Sequence, residues 1–340
     1  MNRTNDFVIE DGILVEYTGS ASHVVIPRGV TEIDSDVFED CKTVQRVTIP
    51  RGVKAIGNNA FANCVNLKKV SIPSSVKTIG QSCFRNCGQL QRFHIRKGVN
   101  VRSWALQGCK KWADRKGFVV VNGVLFDFLS SAREAIVPKK VKTIEAHAFK
   151  EHKNLVSVVI PRGVVTLVGC DFQNCENLEH VRIPDTVTKI GGYMFEGCKK
   201  LQSLTIPDSV AEIGTHAFCD CHSLTHLTIP NSVKKLGNWL FHNCLNLQSV
   251  TFPEDMEKIP TRCFQKCQNL QSFTIPDSVT EIEGFAFWGC KGLKELTIPQ
   301  NVKKIKWNVF DECESLTLRV TAGSYAEAYA QEEGVKYIAQ

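Results

Sequence analysis

Apolar residues recur along this chain at fixed places in a unit of 23 residues, while the polar residues between them vary. The segment LTIPDSVAEIGTHAFCDC, Leu204 to Cys221, returns as LTIPNSVKKLGNWLFHNC, Leu227 to Cys244. Proline marks the unit, from Pro27 to Pro73 and again from Pro138 to Pro299. Phenylalanine stands eleven residues past each proline, as at Phe38, Phe61 and Phe287, and cysteine three beyond it, as at Cys41, Cys64 and Cys290. His152 replaces one of these cysteines and Arg96 one proline. Repetition at this period indicates coils that cannot bury their own apolar faces and need a copy above and below.

Within one unit the spacing predicts three sides. Leu296 and Ile298 alternate as in a short strand with one face inward, and Pro299 ends its ladder. Val279 and Ile282 predict a second extended segment, and FAFWGC a single helical turn that returns Phe287 and Cys290 to the core. Glycines recur after the second segment at Gly57, Gly80, Gly191, Gly214 and Gly237, where conformational freedom is the expected reason for them.

The pattern L-x-x-L-x-I-P, continued to A-F-x-x-C, resembles the BspA-like (Treponema pallidum-type) leucine-rich repeat family over twelve coils and nearly the whole chain. The resemblance implies an α/β fold class: a leucine-rich-repeat solenoid of 23-residue coils with short parallel strands and single helical turns, capped at both ends. It also implies a non-enzymatic scaffold that binds a macromolecule, a protein above all, through its concave strand face.

The ends and one interruption divide the chain further. Residues 1–26 read as an N-terminal lead-in cap with Asp11 and Gly12 as a hairpin turn, and 27–117 as a first array. Phe118 to Pro138 aligns without a gap on Phe7 to Pro27, with Asn122 and Gly123 at the turn, so 118–137 is a second lead-in unit. A second array fills 138–316. Residues 317–340 form the closing cap, in which Ser324 and Glu327 make a capping box and Gly334 stops the helix.

Charge separates the arrays. Residues 42–117 hold sixteen basic side chains and one acid, Asp114, whereas 118–340 are nearly neutral with 23 basic and 25 acidic groups. The net charge of +6 hides this contrast. Outward residues of the strand are the candidate partner-binding set: Arg46, Lys68, Lys69, Arg92 and His94 in the first array, and Arg182, Gln202, His226, Gln248 and Gln271 in the second. The alternative is nucleic acid or another polyanion on segment 42–117, held by the five residues of the first array with Arg96, Lys97 and Arg102. That alternative lacks the aromatic platforms of single-strand binders. Trp239, Trp288 and Trp307 fall at non-core positions, and tryptophan is enriched at interfaces.

Other chemistry finds no constellation. His216, Cys219, Cys221, His222, His226 and His242 are the densest group of metal-ligand types, but Cys221 belongs to the core ladder, His226 to the strand, and no C-x-x-C pair occurs. Cys219 and His242 lack an orienting group, so the reading is no catalytic residue, no metal, no cofactor and no enzyme. Eleven of fifteen cysteines sit at the ladder position, which predicts buried free thiols and a cytoplasmic chain. The acidic start lacks the basic flank of a secretory signal. Cell-surface or secreted location is the alternative if a leader was removed. No apolar run approaches a membrane span, and the oligomeric state is left open.

Overall fold

The computed structural model describes residues 2–4 as backbone and residues 6–340 in full. The chain forms two compact units, Met1–Ser130 and Ser131–Gln340. In both, most coils contribute a three-residue strand just before the proline position and a two- to four-residue strand just after it, and neighbouring copies pair in parallel; the coils at 91–95, 201–206 and 270–275 have no assigned first strand.

In the first unit the strands before proline are His23–Val25, Arg46–Thr48 and Lys69–Ser71. Those after it are Glu32–Ile33, Ala55–Ile56, Thr78–Ile79 and Asn100–Val101. The hairpin Phe7–Glu10 and Ile13–Tyr17 caps this second sheet through pairing of Ile13 with Glu32 and Leu14 with Ile33. Its turn has φ of 49° at Asp11 and 79° at Gly12, which the Asp-Gly pair accommodates. The hairpin Phe118–Val121 and Val124–Phe128 closes on Asn122 and Gly123 with φ of 49° and 85°, and both hairpins shift register at the same place.

In the second unit, Glu134–Ile136, Ser157–Val159 and His180–Arg182 pair in register, as do His226–Thr228 and Ser249–Thr251. Glu295–Thr297, Thr317–Val320 and Tyr337–Ala339 close the C-terminal end. Ser324 caps the helix Tyr325–Glu332 by accepting from Glu327 N, the Glu327 carboxylate accepts from Gly323 N at 2.7 Å, and Gly334 is left-handed beyond the helix end.

The third side carries little helix. Its expected helical turn is a run of tight turns, with N–H to C=O bonds from Cys41 to Phe38 and from Glu39 to Asp36. Alternate residues also donate to the next coil: Asp36 N to Asn58 O, Phe38 N to Ala60 O and Asp40 N to Ala62 O, each at 2.9 Å. This ladder requires left-handed backbone nine and thirteen residues past each proline. Asp, Asn and Gly, which tolerate that conformation, dominate the thirteenth place, as at Asn63, Asn86 and Gly289. The ninth place holds larger residues, among them Tyr193, Trp239 and Phe285.

The repeated residues fill the interior. The phenylalanines stack ring on ring, 4.9 Å from Phe38 to Phe61 and 5.8 Å from Phe287 to Phe310. Every ladder thiol after the first, Cys41, donates to the phenylalanine carbonyl of an earlier coil, as Cys64 to Phe38 at 2.9 Å and Cys198 to Phe172 at 3.2 Å. That carbonyl also accepts from the cysteine N–H of its own coil, so the thiol fills its second lone pair in a buried place. The recurring glycines answer to a different cause from the one expected. Gly80 has no left-handed φ; a Cβ there would lie 2.4 Å from the Gly57 carbonyl carbon, so close approach of successive backbones excludes any side chain.

Candidate interaction face

The exposed face of the first unit's strand sheet is a basic column. Register places His23 beside Arg46 and Arg46 beside Lys69, so three residues able to carry positive charge occupy one row at strand spacing, about 4.8 Å apart. Lys68 stands beside the row, with its ammonium donating to Gln45 Oε1 at 3.1 Å. Lys97 and Arg102 are exposed as well. Among the described residues every ion pair lies between Lys150 and Arg319, so none of the cations of segment 42–117 is paired with a carboxylate.

The column ends at a cleft made by one residue. The inward place that holds Val24, Val47 and Val70 in successive coils holds Phe93 in the next, and its larger ring packs edge-on to Phe84 at 5.5 Å and to Trp112 at 4.8 Å. Gln91 N still donates to Lys68 O at 2.9 Å, but residues 92–95 donate no backbone bond to Lys69–Ser71. A cavity of about 380 Å³ occupies the gap. Ile72, Val76, Phe93 and Ile95 give it an apolar lining, and Lys69, His94 and Arg96 supply its charge. Its volume is within the range of sites that take small molecules or short side-chain groups. Arg96 is braced by a bond from Nη2 to the Ser74 carbonyl, and Arg92 by one from Nη2 to the Trp112 carbonyl.

Phe93 was the missed signal here: a phenylalanine in a valine column. The same substitution recurs at Phe273, which is packed against Phe252, Phe264 and Phe287 in a coil without an assigned first strand.

In the second unit Arg182, Gln202, His226, Gln248 and Gln271 are all exposed. His226 Nδ1 lies 2.8 Å from Ser249 Oγ, and the face near Arg182 includes the exposed apolar side chains of Ile136 and Val159. The ten candidate residues are thus divided five and five between the units. Of these three tryptophans, Trp307 is exposed, and Trp288 and Trp239 are half-buried, the Lys266 ammonium lying 5.7 Å from the Trp288 ring. The Trp239 ring stacks on His216 at 5.2 Å and under the Arg262 guanidinium at 4.1 Å, and Arg262 also lies 4.5 Å from the Phe285 ring. All fifteen cysteines are free thiols. Burial pushes the enclosed ladder thiols up, Cys175 to about 12 and Cys313 to about 11, which keeps them protonated, whereas Cys41 in the first coil is partly exposed. No described helix is long and apolar enough to cross a membrane.

Comparison with known proteins agrees with this geometry. The model of the BspA type leucine rich repeat region matches in six copies, over residues 13–113, 121–247 and 188–317. A leucine-rich repeat protein of Bacteroides ovatus is similar in structure, with a TM-score of 0.58 and 23% identity over 100% of this chain and 97% of that one. One from Eubacterium ventriosum gives a TM-score of 0.52 and 21% identity over 91% and 86%. A leucine rich cell surface protein of Faecalibacterium prausnitzii gives 0.47 and 25% over 97% and 96%. Comparison with curated protein sequences finds no significant match. A 23-residue period, a parallel strand ladder on two sides and a phenylalanine-cysteine core therefore coincide with the family's own repeat: the chain belongs to the BspA-type leucine-rich repeat family.

Proposed function

We propose that the chain is a non-catalytic docking scaffold whose first unit receives an acidic, extended segment of a protein partner on its strand face. The observation that supports this reading is the uncompensated charge: sixteen cations against one acid in residues 42–117, none of the cations in an ion pair. Clefts lined by one sign of charge attract the opposite sign from a distance and speed encounter. The opened ladder favours a peptide over a nucleic acid. Lys69–Ser71 leaves main-chain groups without partners along the gap, as an extended peptide requires, and the apolar lining suits a side chain. Among the described residues no phenylalanine, tyrosine or tryptophan ring is exposed along the column for base stacking.

The test is fluorescence anisotropy with two labelled probes of equal charge: a peptide alternating glutamate with leucine, and a single-stranded DNA. The peptide is expected to bind the full chain with an affinity that falls steeply with salt and is lost in the double variant Arg46→Glu, Lys69→Glu. Tighter binding of DNA transfers the face to polyanions. Absence of both at low salt removes the docking role altogether.

A further inference from the structure

The turn side of the second unit brings together residues far apart in sequence. The twelfth residue past each proline forms a column, and its consecutive rungs are Gln173, Glu196, Cys219, His242 and Gln265. Backbone bonds fix them side by side: Asn174 N to Glu196 O at 2.7 Å, then Gly197 N to Cys219 O and Asp220 N to His242 O, both at 2.9 Å. An oxygen donor, a sulfur donor and a nitrogen donor therefore stand on three adjacent rungs, and Asp220 adds a second carboxylate beside Cys219.

The side chains converge. One ligand atom each of Glu196, Cys219 and Asp220 lies within 4.8 Å of the others. The Cys219 thiol is 3% exposed and donates to Asp220 Oδ2 at 3.4 Å. Flanking rungs orient both carboxylates, since Asn243 Nδ2 donates to Asp220 Oδ1 at 2.6 Å and Gln173 Nε2 donates to Glu196 Oε2. Among the described residues neither carboxylate is paired with a lysine or arginine. The nearest cationic candidate is His222, whose Nε2 is 3.7 Å from Asp220 Oδ1. Two buried imidazole nitrogens in the same region, His242 Nδ1 and His216 Nδ1, have no hydrogen-bond partner. The charged groups that act on His242 electrostatically are Asp220, Lys266 and Arg262. The structure thus assembles convergent anionic oxygens, a thiol and unsatisfied imidazole nitrogen without the cation that would balance them.

We propose that Glu196, Cys219 and Asp220, with His242 as fourth donor, bind a divalent transition-metal ion of the zinc class. Sulfur, nitrogen and carboxylate oxygen together suit zinc or cobalt and disfavour magnesium or calcium, which take oxygen alone. Bonds of roughly 2.0–2.3 Å around a tetrahedral ion require the Glu196, Cys219 and Asp220 donors to close in by about 1 Å, and His242, which lies outside that 4.8 Å group, to swing further, on rungs whose backbone is already fixed. Binding breaks the Cys219 S–H bond, forms a metal–sulfur bond and releases one proton to solvent. Cys221 and His226 take no part: Cys221 donates to the Phe195 carbonyl in the core, and His226 is on the strand face. The residue missing from the sequence cluster was Glu196, which is 23 residues before Cys219 and becomes its neighbour only through the coil period.

The experiment is titration of the reduced, chelator-treated full chain with Co²⁺, followed by displacement with Zn²⁺. One equivalent is expected to give a near-ultraviolet thiolate-to-cobalt band and the intense visible bands of a tetrahedral site. Both should vanish on adding zinc, and affinity should rise about tenfold per pH unit because a thiol proton leaves. Cys219→Ser should abolish the near-ultraviolet band, and Glu196→Gln, Asp220→Asn and His242→Ala should each weaken binding at least tenfold, all with unchanged circular dichroism. If the serine variant fails to fold, Cys219→Ala replaces it, since the same column accepts alanine at Ala62. No cobalt band, a band that survives loss of Cys219, or affinities indifferent to the Glu196, Asp220 and His242 changes overturns the proposal.

Discussion

Replacing Asp171 with alanine should stabilise this protein, and by an amount that depends on pH. Asp171 is ten residues past Pro161, a place that is apolar in the neighbouring coils, at Ala148, Met194 and Ala217. Its side chain is fully buried, and neither carboxyl oxygen has a hydrogen-bond partner. Burial, with a smaller contribution from Glu145, pushes the carboxyl well above the usual range, so the folded chain keeps it protonated. The unfolded chain ionises it near pH 4. A folded pKa above the unfolded one means that the ionisation penalty is absent at low pH, and that it grows as pH rises from about 4 toward the folded value. Each pH unit inside that window adds roughly 1 kcal/mol of cost, so the penalty is larger at pH 7 than at pH 5. Lost packing around the smaller side chain offsets on the order of 1 kcal/mol of this at every pH. Asp171→Ala should therefore stabilise the chain at pH 7, by on the order of 1 kcal/mol or more, and by less at pH 5. Urea denaturation at both pH values measures this, with Asp171→Asn as the control that keeps the polar atoms but loses the pH dependence. A destabilised alanine variant at pH 7, or a gain equal at the two pH values, refutes the reasoning.

Three further outcomes are expected. Cys198→Ala removes the second hydrogen bond to the Phe172 carbonyl and leaves that lone pair buried, which should cost about 1–3 kcal/mol in the same denaturation assay. In a thiol-reagent time course under native, non-reducing conditions, only the partly exposed Cys41 and Cys170 should react quickly, and all fifteen should react once the chain is denatured. Phe93→Val should let residues 92–95 close on Lys69–Ser71, which hydrogen exchange would report as new protection of backbone amides in that gap.

The sequence revealed most of the fold because one period controls it. Repeating proline, phenylalanine and cysteine identified two strands and a return to the core, since interior places tolerate little variation in size. The third side was harder to read. Its ladder depends on left-handed backbone, and the ninth place holds Tyr193, Trp239, Arg262 and Phe285, none of which favours that conformation, so residue type gave no signal. Glycine misled for a related reason: Gly80 is required by a backbone 23 residues away, which local turn logic does not see. The interaction face was legible as charge but not as shape. The cleft comes from the bulk of one ring at Phe93, an effect on hydrogen-bond distance that hydrophobic pattern does not distinguish from ordinary core filling.

The cysteines show how scaffold chemistry must be subtracted before a site is sought. A ladder thiol has a structural use: it hydrogen-bonds the phenylalanine carbonyl of the coil before it, as at Cys244 and Phe218. Eleven cysteines occupy that place, so their abundance says nothing about metals or redox chemistry. Four remain. Cys83 and Cys263 are at the buried tenth place, where Ala60 and Ala286 show that a small apolar group suffices. Cys170 and Cys219 are on the turn side, where the scaffold requires no sulfur. Of these two, Cys219 alone has carboxylates from its own coil and the preceding one within reach and an imidazole on the next rung. The repeat therefore explains every thiol on its own terms until the turn side, and at Cys219 the surrounding donors ask for a cation that the repeat itself does not supply.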